Sequence, residues 1–194
     1  MSGLFVSIRH NLAGLLRFSG RDARRTFWPY AILLFLLSTA AYMVLGIFIA
    51  ADMFAKIERY VIAHHEGLKP PASGQTPQIP PELMPDISGL AMPIMAMQIV
   101  FLLLLAAAVA RRLHDRDRTG LWGLMPLPFM AIGMVNMQTA FAFATGALAP
   151  TPLQSILFAT APFIWVVLIA LIVMLAGEGT KGPTRFGPEP LPAP

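Results

Sequence analysis

Between Arg111 and Arg118 the chain packs four arginines, two aspartates and one histidine into eight residues, and long runs without any ionisable group flank this knot. The upstream run extends from Ile87 to Ala110, and the downstream run covers 59 residues, from Thr119 to Gly177. Apolar runs longer than about 18 residues read as transmembrane helices, and each crossing of a hydrocarbon core of about 30 Å takes about 20 residues. The downstream run therefore has room for two crossings and a turn. A dense polar knot between such runs is the pattern of a short loop at a membrane surface.

Composition agrees. Charged residues make up 12% of the chain, about half the roughly 25% of a soluble domain, and mean hydropathy is +0.66. The formal charge of +4 is assigned to lipid contact and orientation rather than to nucleic acid, because the arginines stand at the ends of apolar runs. With no cysteine, disulfides, thiolate chemistry and cysteine metal sites are excluded.

The pattern predicts an all-α membrane protein with one domain of four transmembrane helices, residues 27–176. The spans are expected at 27–51, 87–110, 120–143 and 156–176. A proline-rich loop at 52–86 joins the first two, the basic loop 111–119 joins the second and third, and an uncharged turn at 147–155 precedes the fourth. Lysine and arginine number five before the first span, three in the first loop, four in the knot, none in the second outer turn and two in the tail. Alternating sides carry 11 against 3, so the positive-inside rule places both termini and the knot in the cytoplasm, N-in and C-in.

Residues 1–26 form a cytoplasmic segment. In it Leu4, Phe5, Ile8, Leu12, Leu15 and Leu16 recur at helical spacing with Arg9, Asn11 and Arg17 between them, which predicts an amphipathic helix lying in the interface. Trp28 and Tyr30 stand where an aromatic belt is expected. Residues 177–194 are a cytoplasmic tail whose glycine and proline content forbids a helix, so an irregular strap is expected. His64 and His65 are adjacent and make a poor chelating pair.

Three basic segments then share the cytoplasmic face: Arg21, Arg24 and Arg25; Arg111, Arg112, Arg116 and Arg118; Lys181 and Arg185. If the second span continues into the knot, Arg111, Asp115 and Arg118 fall on one helical face, Leu113 interrupts the polar surface as a bilayer anchor, and Thr119-Gly120 stop the helix. These cations fix orientation and hold anionic phospholipid headgroups, or they build a specific pocket for a phosphate, which arginine forks suit. Catalysis by His114 with Asp115 requires convergence on a substrate site that no motif marks. There is no zinc spacing, phosphate loop or nucleophile elbow, so no cofactor or metal is expected. Transport would call for polar groups at mid-membrane depth. The spans offer Gln98, Asn136, Gln138 and Gln154, of which Asn136 and Gln138 sit mid-span and read as helix–helix glue.

Phe18-Ser19-Gly20-Arg21 with Arg24-Arg25-Thr26-Phe27-Trp28 resembles the opening motif of a bacterial inner-membrane family known as domain of unknown function 805. Ala110-Arg111-Arg112-Leu113-His114-Asp115 with Arg118-Thr119-Gly120 and Trp122 resembles its central signature, and Gly177 to Pro190 its closing one. The family often has glycine where Asp117 stands and asparagine where Thr184 stands. The resemblance implies a small helical domain in the bacterial inner membrane and no settled activity. The resulting expectation is a non-enzymatic membrane module. Its candidate site, Arg21, Arg24, Arg25, Arg111, Arg112, His114, Asp115, Arg118 and Arg185, binds anionic lipid, a protein partner or a second copy. A small transporter or channel component is the alternative, and a lipid-modifying enzyme the third reading. All three motifs fall on one predicted face, so they are expected to assemble there, with the tail across the knot and an arginine of the first motif beside Asp115 or Asp117.

Overall fold

The computed structural model describes residues 3–63, 83, 91–135 and 151–190. Helix α1 spans Gly3–Ala13, α2 Arg24–Ala63 and α3 Ala91–His114; a 3₁₀ helix follows at Gly120–Leu124, then α4 at Leu127–Val135 and α5 at Pro152–Ala176. No strand occurs among the described residues, only an isolated bridge between Thr184 and Gly187. Helices α2, α3 and α5 are each long and apolar enough to cross a membrane, whereas Gly120–Gly133 is apolar but shorter. Their large side chains face outward: Phe35, Met43 and Phe48 on α2, Leu103 on α3, and Phe163, Trp165 and Val173 on α5 are all exposed. Such a surface requires an apolar solvent.

Several boundaries differ from the expected ones. Helix α2 runs on to Ala63 instead of ending near Ala51, because Asp52 and Lys56 pair at 2.9 Å one turn apart and carry the helix through the first charges. The second span continues to His114, so Arg111 and Arg112 are helical rather than loop residues. Helix α5 begins at Pro152, not near residue 156. Thr151 accepts from the Gln154 backbone, and the Gln154 side chain accepts from the Thr151 backbone. This capping box, with Gln154 as its second member, takes up orphan donors of the first turn. His64, His65, Asn136, Gln138 and the rest of the third expected span from residue 136 to 143 lie outside the described residues.

The buried core sits at one end of the helices. Phe27, Tyr30 and Leu34 of α2 meet Ala108, Val109 and Leu113 of α3 and Leu171 and Leu175 of α5. Tyr30 is therefore not a belt residue; its hydroxyl donates to the Leu104 carbonyl at 2.9 Å. Leu113 is fully buried and anchors the core rather than the bilayer. The 3₁₀ helix packs back onto α3 through glycines at the eclipsed spacing of three: a Cβ at Gly120 would stand 2.9 Å from Ala110 Cβ, and one at Gly123 2.8 Å from Val109 Cγ1.

Helix α1 packs on α2 with its polar side. Ser7 Oγ donates to the Thr26 carbonyl at 2.5 Å, Asn11 Nδ2 donates to the same carbonyl at 3.0 Å, and both residues are buried. Leu4, Phe5, Leu12 and Leu16 face outward instead. The expected periodicity is present, with most of its apolar face turned away from the protein and Ile8 packed against the core.

Candidate functional site at the charged pole

The N-terminus of α2 and the C-termini of α3 and α5 meet at the core end, and the connection from α1 to α2 and the tail close over them. Consecutive helical residues point about 100° apart, so Arg111 and Arg112 diverge. Arg111 turns to the N-terminal segment. Its Nε donates to Asp22 Oδ2 at 2.7 Å, one terminal nitrogen to the carbonyls of Gly14 and Arg17 at 2.6 Å each, and the other to Asn11 Oδ1 at 2.9 Å. Arg112 turns to α5 and the tail. It donates to the carbonyls of Leu175 at 2.8 Å, Gly177 at 2.5 Å and Asp22 at 3.2 Å, and to the carboxylate of Asp115. Each guanidinium thus spends four of its five N–H donors on the protein, and both are buried.

These bonds also terminate α5. A helix end leaves its last four carbonyls without partners, and in a membrane such groups cost several kcal/mol if unmet. Arg116 donates to the carbonyls of Met174 at 2.7 Å and Val173 at 3.3 Å, Arg112 to Leu175 and Gly177, and Arg24 lies 3.5 Å from the Ala176 carbonyl. Three cations at a helix C-terminus also suit its dipole.

Arg21 ties the first motif to the other two. Its Nε donates to Asp115 Oδ1 at 3.1 Å, and its terminal nitrogens donate to the carbonyls of Thr180 at 2.5 Å and Gly182 at 2.6 Å. The Asp115 carbonyl accepts from the Thr180 backbone at 2.8 Å, so the tail does lie across the knot. A Cβ at Gly179 would fall inside contact distance of the Asp115 carboxylate. Gly179→Ala is therefore expected to destabilise the fold by about 1–3 kcal/mol, the usual cost of overpacking, with faster proteolysis of the tail as the second readout.

The candidate residues divide into buried and exposed sets. Arg21, Arg111, Arg112 and Asp115 form the interior of the pole. His114 Nδ1 lies 3.2 Å from the Gly20 carbonyl, and its ring stacks on Phe186 with centroids 3.9 Å apart. It points away from its neighbour Asp115. Arg24 pairs with Glu178 at 3.1 Å and Arg185 with Asp117 at 3.3 Å, both at the surface. Arg25 and Arg118 are exposed; Arg118 lies 6.0 Å from the centroid of the Trp122 ring. The expected face of Arg111, Asp115 and Arg118 does not exist, because the helix stops at His114, before Thr119-Gly120, and Asp117 turns the chain at φ 52°. That is the left-handed region glycine favours, which agrees with the glycine common there in the resembling family.

The DUF805 family profile, described as a protein of unknown function, matches residues 15–188. The chain belongs to the DUF805 family. No curated protein and no solved structure matches it. The matched span contains the first two motifs and the closing one up to Pro188, so in this DUF805 chain the family pattern and the ion-pair network coincide. Ser7, His10, Asn11 and the role of Asp22 escaped the sequence reading. The signals were there: Ser7 and Asn11 are one turn apart on an apolar helix, and Asp22 is the only acid among five arginines before the first span.

Proposed function

We propose that this protein is a non-enzymatic module of the bacterial inner membrane, with four crossings and its charged pole in the cytoplasm, that binds anionic phospholipid headgroups around that pole. The carrying observation is the division of the cations. Arg21, Arg111 and Arg112 are spent on protein acceptors, while Arg24, Arg25, Arg118 and Arg185 form an exposed rim at the same end. Exposed Leu16, Phe18, Leu121 and Trp122 stand among them, the mixture that suits a headgroup layer.

The fourth crossing is supported by chain direction. Helices α3 and α5 both end at the pole, and α5 begins about 37 Å away at 1.5 Å per residue, so residues 120–151 must cover that distance. The excess of lysine and arginine on this side, 11 against 3, supports the cytoplasmic orientation. A binding rather than catalytic role is supported by His114 and Asp115, which serve separate partners.

The test is a variant with Arg25 and Arg118, the two rim arginines whose side chains make no hydrogen bond or ion pair among the described residues, both changed to glutamine, compared with wild type in mixed micelles of phosphatidylglycerol and phosphatidylcholine. A basic residue near an anionic surface contributes about 1 kcal/mol. Preference for the anionic lipid should then fall by roughly thirtyfold while the melting temperature is kept, and the wild-type preference should weaken with salt. Equal preference in both proteins would sink the reading.

A further inference from the structure

A cavity of about 210 Å³ opens beneath the connection from α1 to α2, lined by His10, Gly14, Arg17, Ser19, Arg21 and Asp22 among others. We infer that this cavity is a discrete site for the phosphate of one anionic lipid, held by the Arg17 guanidinium and by the backbone of the loop at residues 19–21. The inference rests on the lipid-binding reading above and deepens it, from a diffuse rim to a single built position.

Charge comes first. Three arginines, Arg17, Arg21 and Arg111, reach the lining against one carboxylate, that of Asp22. That carboxylate is already engaged on both oxygens, by Arg111 at 2.7 Å and His10 Nε2 at 2.8 Å. Arg21 and Arg111 are committed to protein partners, as described above. Arg17 is different: its carbonyl is held by Arg111, but its side chain is exposed and makes no hydrogen bond or ion pair among the described residues. It is a cation fixed at the backbone and free at its head. The loop adds neutral donors. The backbone N–H groups of Phe18, Ser19, Gly20 and Arg21 make no backbone hydrogen bond among the described residues, whereas those of Arg17 and Asp22 on either side do. Successive free N–H groups beside a guanidinium form an anion-binding concavity.

Size and position select the ligand. Drug-sized ligands occupy about 300–1,000 Å³. This cavity holds the volume of about seven waters at roughly 30 Å³ each, room for a phosphate and a small alcohol but not for a nucleotide. Arg17, which lines the cavity, is flanked in the chain by Leu16, 92% exposed, and Phe18, 51% exposed. Side chains of that kind belong in the acyl boundary, which puts the Arg17 head at the depth of lipid phosphates. A soluble phosphate ester offers the same chemistry without the tails, so the experiment separates the two.

The full-length protein in detergent is titrated with dioctanoyl phosphatidylglycerol and read by native mass spectrometry at a salt concentration that screens the rim. The variants are Arg17→Gln, which removes no bond found among the described residues, and Arg25→Gln, on the rim outside the cavity. Wild type and Arg25→Gln should retain one lipid with equal affinity, Arg17→Gln should bind it at least tenfold more weakly, and a tenfold excess of glycerol phosphate should not displace it. Undiminished binding by Arg17→Gln, or an equal loss in Arg25→Gln, would overturn the discrete site. Displacement by that excess of glycerol phosphate would overturn the lipid assignment in favour of a soluble ester. Failure of the rim reading looks different: no protein would then prefer phosphatidylglycerol over phosphatidylcholine even at low salt.

Discussion

Replacing Arg112 by methionine is expected to cost about 3–5 kcal/mol, the range for removing one partner from a buried ion pair, and to release the tail from the pole. The size follows from what the guanidinium does. It is fully buried and joins the Asp22 carbonyl, the Asp115 carboxylate and the terminal carbonyls of α5 at Leu175 and Gly177. Methionine fills much of the same volume, so lost packing contributes little and the loss reports the polar bonds. Arg112→Lys should fail nearly as badly, because a compact ammonium with three donors does not reproduce a planar fork that reaches four acceptors. Thermal unfolding in detergent gives the magnitude, and limited proteolysis after Ala176 gives the tail. A methionine variant that melts within about 2 °C of wild type, where 1 kcal/mol shifts a domain of this size by about 2–4 °C, would show that the network does not hold the pole together.

The sequence alone reaches the level of segments and stops before partners. That the three motifs share one pole is legible, because apolar runs alternate with basic clusters and each run must cross. Which arginine meets which acid is not. Arg111 and Arg112 look equivalent in sequence, yet the 100° between adjacent helical residues sends one to α1 and the other to α5. The face by which α1 packs is equally hidden: the apolar spacing of Leu4, Ile8 and Leu12 announces a helix, but Leu4 and Leu12 face out as lipid-facing side chains do, whereas Ser7 and Asn11 turn inward with Ile8. Helix ends misled for local reasons. Asp52 looks like a stop until its pairing with Lys56 is seen. Thr151-Pro152-Leu153-Gln154, by contrast, carries a readable capping-box signature that the prolines obscured. The division of candidate residues into buried struts and exposed rim depends on burial, which adjacent basic residues do not disclose.

Asp22→Ala should be as damaging as the loss of Arg112, and through the opposite half of the pole. Asp22 is buried, and all of its polar groups are used. Its carboxylate holds Arg111 at 2.7 Å and His10 at 2.8 Å, its N–H donates to the Arg111 carbonyl at 3.2 Å, and its carbonyl accepts from Arg112. The alanine variant keeps the two backbone bonds and leaves the Arg111 guanidinium, 3% exposed, without its counter-charge. That condition costs about 3–5 kcal/mol. Because the charge left behind carries the cost, Arg111→Met in the same chain should restore part of the stability. The double variant is expected to be less unstable than the sum of the two single ones, by about 0.5–3 kcal/mol of coupling. Asp22→Asn should fall between, since an amide oxygen still accepts one bond from Arg111 but supplies no charge. The measurement is a double-mutant cycle by thermal or denaturant unfolding in detergent. Strict additivity would mean that Asp22 and Arg111 contribute independently to holding the α1 segment. Coupling of the expected sign would make this pair the bond that fixes α1, and with it the cavity beneath residues 19–21, to the membrane helices.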